Sequence, residues 1–395
     1  MKIAFLADLH IANHRAHGGP VLSGINRRAR ICLDTLQRAV DRAVAKQCSA
    51  LFILGDVFDT VKPEPQVVAE VQRILDIDEL AIVVVEGNHD QVSTDPGDHS
   101  LGPLEPLVTL VEKPLLWTEV HSTGPGDQAL VAAVPFEPGP AVEWLPKRVK
   151  ELMANRPDTK APLLLATHVG ISDHDTESFM KATHDQVPAH LLGELAAEHK
   201  IALVMSGNWH QHKVFNLAAP GFPKAVQVGT LCPTGWDNPG LRDHGTMPIW
   251  DVATGKLEVE AIPGPRFLNL NGLENAPPEW HDALQLRGVP YGTTPVPTEP
   301  NGWHLYLHVK TTAEKLASEQ GWVADLKARG VLEGGEVLID DAENRAQART
   351  AATVARSAET LSTALHGYVK EMPLPEGVDR AEVLARAQGF LAGSK

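Results

Sequence analysis

Five polar clusters in this chain each follow a short apolar run. Asp8-Leu9-His10 follows Ile3 to Ala7, Gly55-Asp56-Val57-Phe58-Asp59 follows Leu51 to Leu54, and Gly87-Asn88-His89-Asp90 follows Ala81 to Val85. His168 closes Leu163 to Thr167, and Gly207-Asn208-Trp209-His210-Gln211-His212 comes after Ala202 to Met205. One Asp or Asn after a strand is ordinarily a turn former. Five strand ends that each present carboxylate, carboxamide or imidazole ask for more than turn chemistry. Imidazole with carboxylate and amide oxygen, without thiolate, suits Mn²⁺, Fe²⁺ or Zn²⁺. Roughly seven such donors are too many for one ion and enough for two divalent ions, with Mn²⁺, Fe²⁺ and Zn²⁺ all open on the donors alone. In a two-metal site with ions ~3.5–4 Å apart, one carboxylate bridges. Asp56, on a central strand between the other groups, is the natural bridge. Such a pair neutralises a phosphoryl group and supplies hydroxide from a bound water. The leaving alkoxide then needs a proton. His89, beside Asn88 and followed by Asp90, which can orient its imidazole, is placed as the general acid.

The elements that must position these groups follow from periodicity. The apolar runs, together with Leu130 to Val134, are strand-sized and continuous, as expected of strands buried on both faces. Amphipathic stretches such as Arg28 to Ala45 and Gln66 to Leu75 separate them. Strand and helix in alternation predict an α/β sheet whose ligand crevice lies beyond the carboxyl ends of the strands. The clusters would converge there although they span about 200 positions. From Lys213 to Leu270 strand patterns with turn signals dominate, which predicts a β-rich second layer. Residues 271–303 hold six prolines and read as a linker or arm. Beyond it come a strand (His304 to Val309), a helix (Thr312 to Ala328), a strand (Glu336 to Ile339), a helical region (Ala346 to Lys370) and a terminal amphipathic helix (Asp379 to Leu391).

With 395 residues, 43% of them apolar, the chain is long enough for more than one domain and too apolar for disorder. No stretch approaches the ~20 apolar residues of a membrane span, and the first apolar run is too short and too soon polar for a signal peptide. Cys32, Cys48 and Cys232 are scattered and form no CxxC, which fits a reducing compartment and no zinc–thiolate site. A cytoplasmic protein is expected. Its formal net charge of −15 argues against DNA binding by a basic surface. Residues 1–270 carry 23 Lys and Arg against 33 Asp and Glu, and the remainder 12 against 17, so neither half is basic.

The signature Asp8-x-His10, Gly55-Asp56-x-x-Asp59, Gly87-Asn88-His89-Asp90, then His168 and a late Gly-x-x-His, resembles the calcineurin-like metallophosphoesterase superfamily over roughly residues 1–262. The resemblance implies an α/β fold, a two-layered β-sandwich flanked by helices. It also implies one metal held by Asp8, His10, Asp56 and His210, and a second held by Asp56, Asn88 and His168. The superfamily usually ends in Gly-His-x-His, whereas this chain has Gly207-Asn208-Trp209-His210. Either Asn208 stands for the first His, or the pair has slipped to His210 and His212, since residues two apart on a strand share a face. The first register keeps Ser206-Gly207 in place and is preferred.

The later segments, Val226 to Thr230 and Gly235-Trp236-Asp237-Asn238, are similar to SbcD-type DNA repair nucleases and their phage relatives. That likeness implies a nuclease subunit that processes DNA ends with an SbcC-type coiled-coil ATPase in a bacterial or phage-infected cytoplasm; a homodimer is compatible with it. By its pattern residues 1–270 form the catalytic domain, 271–303 the arm, 304–345 a small α+β cap, and 346–395 helices that grip the partner. The alternative is a stand-alone phosphoesterase for a nucleotide, small phosphodiester or phosphoprotein. Arg15, Arg27 and Arg28, in the loop and helix after the first motif, are candidate phosphate contacts. Lys147, Arg148 and Lys150 read as a solvated helix face.

Overall fold

The computed structural model describes residues 1–93, 97–121, 128–175, 183–218, 223–235, 245–276, 304–339, 369 and 379–393. The chain divides into two compact units, Met1–Leu338 and Ile339–Lys395. The expected helical region Ala346 to Lys370, apart from residue 369, and most of the expected arm lie outside the described residues. In the second unit, on the helix Arg380–Gly393, Arg386 pairs with Glu382 at 3.0 Å.

Continuous apolar runs form strands here because both faces of each strand are covered. In Lys2–Leu6 and Ala50–Leu54, Ile3, Phe5, Ala50, Phe52 and Leu54 point into a core between two sheets. Their neighbours Ala4, Leu6, Leu51 and Ile53 point the other way, into a core under the helices Arg27–Ala45 and Pro65–Leu75. The second sheet repeats the division. Val131, Ala133, Leu164, Ala166 and Met205 face the inter-sheet core, while Leu130, Leu163, Leu165 and Val204 face the helices Ala141–Met153 and Ala189–His199. A period of two thus sorts each strand between two cores, and the result is a two-layered β-sandwich with helices on both outer faces.

Each sheet has six strands. In the first, Lys2–Leu6, Ala50–Leu54, Ala81–Val85 and Thr109–Val111 run parallel in that order, and Thr246–Asp251 and Lys256–Ala261 complete it antiparallel beside Lys2–Leu6. The second is built from Leu115–His121, Gln128–Val134, Leu163–His168, Ile201–Gly207, Lys224–Gln227 and Lys213–Asn216. The expectation that residues 213–270 form a layer of their own is corrected. Lys213–Asn216 and Lys224–Gln227 extend the second sheet, and the next hairpin returns to the first, where Ile3 pairs with Trp250. The first sheet would otherwise end on its N-terminal strand with an open edge.

A third sheet joins Pro265–Asn271, His304–Thr311 and Leu332–Ile339, with the helix Leu316–Ala328 packed on it. Pro265–Asn271 pairs in parallel with His304–Thr311 from Pro265↔His304 to Asn271↔Lys310, so the strand straddles the boundary expected at residue 270. This sheet is fastened to the start of Arg27–Ala45. Arg27 makes two hydrogen bonds to Glu333 (2.6 and 3.2 Å), and Arg28 lies over the Phe267 ring at 4.9 Å.

Candidate metal centre

Every polar cluster sits at the carboxyl end of its strand, and adjacent parallel strands bring these ends side by side. The chain turns sharply there. Asp8, His10, Asp56 and Asn208 all have positive φ (51°, 44°, 55° and 82°), a left-handed conformation that Asp, Asn and His tolerate best among residues with a side chain. Two loop-to-loop bonds hold the turns together, Asp8 N to Gly55 O (3.1 Å) and His10 N to Asp56 O (3.0 Å). Gly55 also has positive φ (84°), and a Cβ on it would overlap the His168 ring, so the close approach of these strand ends requires a glycine there.

The side chains converge. Asp8, Asp56, Asp90, His10 and His168 are all at most 1% exposed. The Nε2 atoms of His10 and His210 are 3.0 Å apart. One Asp56 oxygen, Oδ2, is 3.6 Å from His10 Nε2 and 3.4 Å from His168 Nε2, a bridging position between two imidazoles. His168 donates its Nδ1 proton to Leu54 O (2.7 Å), which turns Nε2 toward Asn88 Oδ1 (3.0 Å) and Asp56. His89 is exposed, donates its backbone N–H to Asp56 Oδ1 (2.9 Å), and sets its ring edge-on to His10 at 4.9 Å. Ligand-type atoms cluster as Asp8 with His10 and His210, as Asp8 with Asp56 and His168, and as His10 with Asp59 and His89.

The electrostatics ask for cations. Burial raises the Asp8 carboxyl, the Asp56 charge adds to this, and it rises to about 7. Asp90 likewise reaches about 7, through burial first and Asp56 second. For Asp56 burial works upward but is outweighed, chiefly by His168 and His10, and the carboxyl falls well below its usual range. Burial would depress His168, yet Asp56 and Asp8 outweigh it and push the ring up to about 10. A field that holds a proton on a buried imidazole is one that a divalent ion can occupy instead. Among the described residues, Asp8 Oδ2 is also buried without a hydrogen-bond partner. Buried carboxylates, facing imidazole nitrogens and an orphaned carboxylate oxygen therefore fit two divalent ions.

A family model described as calcineurin-like phosphoesterase matches residues 1–213. The chain belongs to this family. Solved structures similar to this calcineurin-like phosphoesterase include the protein TT1561 of Thermus thermophilus (16% identity, TM-score 0.43, covering 66% of this chain and 98% of that one). A putative 5'-nucleotidase from Staphylococcus aureus gives 15% identity and TM-score 0.36, and the purple acid phosphatase PPD1 of yellow lupin gives 13% and 0.41. The matches cover 66% and 65% of this chain but only 53% and 52% of those two, about half their length.

Several expected side chains are engaged elsewhere in the calcineurin-like phosphoesterase. Asp90 was expected to orient His89; instead its carboxylate accepts from the backbone N–H of Asp56 (2.8 Å), Gly87 (3.0 Å) and Val57 (3.1 Å) and so shapes the bridging loop. Arg28 is 1% exposed and donates to the carbonyls of Ala16, Pro233 and Thr234 at 2.9, 3.0 and 2.5 Å. Arg27 is bound to Glu333, so neither arginine is a phosphate contact as it stands; Arg15 is exposed. Asn208 donates its backbone N–H to Asp8 Oδ1 (2.9 Å) and its amide to Asp185 Oδ2 (3.0 Å). His212 Nδ1 bonds Val228 O (3.1 Å), and among the described residues His212 joins none of the metal-capable groups.

Two carboxylates beside the site were given no role by the sequence: Asp59, quoted only as part of the signature, and Asp185. Asp59 Oδ1 lies 3.2 Å from His10 Nδ1 and its Oδ2 lies 3.5 Å from His14, a carboxylate that fixes the His10 ring with Nε2 facing inward. The spacing Asp56-x-x-Asp59 marks the residue in the sequence but not what it touches. Asp185, which holds Asn208, carries no local signal.

Proposed function

We propose that this calcineurin-like phosphoesterase is a DNA nuclease that cuts phosphodiester bonds at DNA ends, with Mn²⁺ in its metal centre and an SbcC-type coiled-coil ATPase as partner. Asp8, His10, Asp56 and His210 would hold one ion, and Asp56, Asn88 and His168 the other. When bound, the ions supply charge neutralisation at the phosphate and a water acidic enough to serve as nucleophile. The chain's own residues do the rest. Asp59 holds the His10 ring, Asp90 holds the Asp56 and Gly87 amides, and His89, exposed beside His10, protonates the leaving oxygen.

The observation that carries the choice of a polymeric substrate is the third sheet. His17, in the loop that leaves the metal centre, stands against Tyr306 with ring centroids 6.2 Å apart, and Arg27 ties the same segment to Glu333. The sheet is thus fastened to the segment that leaves the metal centre, a placement that suits a substrate running past the reacting phosphate. The charge of −15 leaves the ions to meet the phosphates, so duplex affinity of the free chain should be weak, strongly salt-dependent and raised by the partner.

The test is to incubate the purified protein with end-labelled duplex DNA and with an aryl phosphodiester, each with Mn²⁺ and with chelator. Shortening of the DNA in Mn²⁺ alone is expected. Hydrolysis of the small ester without any DNA cleavage would favour a nucleotide or small-ester phosphodiesterase.

A further inference from the structure

Beside the metal centre, on the side of Ala81–Val85, lies a cavity of about 620 Å³, within the range of small-molecule sites. Its wall adjoins the centre. Glu86 on its wall precedes Gly87-Asn88, and the Phe136 ring, also on the wall, stands edge-on to the His168 ring with centroids 6.4 Å apart. The same wall is pinned to the catalytic loop, since Phe136 N donates to Glu86 O (3.0 Å) and Gln91 Nε2 donates to Phe136 O (3.0 Å).

The lining selects the ligand's chemistry. Phe136 with Pro114, Pro138 and Leu152 gives an apolar, ring-bearing surface. Glu86 and Glu112 line the same space with carboxyl oxygens, one of Glu112's lying 3.3 Å from His99 Nε2. Four carboxylates of the lining, Glu86, Glu112, Glu137 and Glu151, outnumber its two cations, Lys113 and Arg148, and Arg148 is already engaged, bonding Glu137 at 2.7 and 3.1 Å and Glu151 at 2.8 Å. An anion is therefore disfavoured, and a flat, uncharged ring with N–H donors is favoured. The ring that accompanies a phosphodiester in a nucleic acid and has those properties is an amino-bearing base.

We propose that this cavity takes the nucleobase next to the scissile phosphate, stacked on Phe136 with its exocyclic amine toward Glu86 and Glu112. The inference rests on the nuclease reading and gives that reading a specificity element. Base–aromatic stacking of ~1–3 kcal/mol corresponds to roughly fivefold to a hundredfold in kcat/KM.

The experiment compares single-stranded oligonucleotides that carry either an adenine or an abasic tetrahydrofuran at one of the two positions flanking the cleaved bond, with Mn²⁺. For the wild-type protein, removal of the base on one side is expected to lower kcat/KM at least fivefold, mainly through KM. In Phe136→Ala that ratio should collapse toward one. Ser93→Trp, an exposed position on the cavity rim, should reduce it in the same way by filling the space, and it guards against a folding defect in the first variant. Equal cleavage of both substrates by the wild type, or an undiminished ratio in both variants, would overturn the pocket while leaving the nuclease reading intact. Hydrolysis of an aryl phosphodiester with cleavage of neither oligonucleotide would overturn both.

Discussion

Substitution of Asp90 by Ala separates two roles for a carboxylate that follows the histidine proposed as general acid. In the structure its two oxygens take three backbone N–H groups, from Asp56, Val57 and Gly87, and the residue is fully buried. Orphaning a buried donor costs ~1–3 kcal/mol, so three give about 3–9 kcal/mol. Against this, the variant no longer buries a carboxylate. The rise of its pKa from 3.8 to about 7 corresponds to about 4 kcal/mol at ~1.36 kcal/mol per unit. The two terms leave a net loss of about 2 kcal/mol in metal-free protein, together with weaker metal binding, because the Asp56 loop is what the carboxylate shapes. The assay is urea unfolding in chelator, followed by metal analysis after dialysis against Mn²⁺. His89→Ala serves as the control; His89 is exposed, so its variant should unfold within ~0.5 kcal/mol of the wild type. If Asp90→Ala matched the wild type in stability and metal content but lost phosphodiester hydrolysis as completely as His89→Ala, the carboxylate would be acting on the imidazole and the reasoning would fail.

Other outcomes follow from the same geometry. His89→Ala should retain its metal and lose hydrolysis by a factor of about 10²–10⁴, the usual contribution of a general acid, whereas Asp56→Ala should lose metal and activity together; metal analysis beside a single-turnover assay distinguishes them. Gly55→Ala should destabilise the protein by about 2–4 kcal/mol and displace His168, since the position has positive φ and the new methyl meets that ring; unfolding and metal content read it. Glu333 is held at about 2: burial works upward and is outweighed by the hydrogen bonds of His304 and Arg27. A carboxyl depressed in the folded state stabilises above its unfolded value near 4.5 and loses that contribution as pH falls toward 2. Discounted for its partial exposure, the contribution is about 1–2 kcal/mol, so the deficit of Glu333→Gln at pH 7 should shrink as unfolding is measured at pH 4 and then pH 3.

What the sequence determined by itself was the site's chemistry and its place at strand ends. Asp8, His10, Asp56, Asn88, His89, His168 and His210 each follow a run whose continuous apolar character announces a strand buried on both faces, and local rules suffice for that. Family membership, carried by the same residues, was legible too. The tertiary structure alone decided what each polar group touches. Arg28 finds its carbonyl partners 205 and 206 positions away, so its removal from the phosphate side has no local sign. Asp90 turns from its neighbour His89 to amides 33 and 34 positions back, because a buried carboxylate must be satisfied and those donors were at hand. The assignment of each strand to a sheet was equally nonlocal. Thr246–Asp251 and Lys224–Gln227 have similar apolar patterns, yet one pairs with residues near the N-terminus and the other stays with Ile201–Gly207, and only the edges left open by the remaining strands distinguish them.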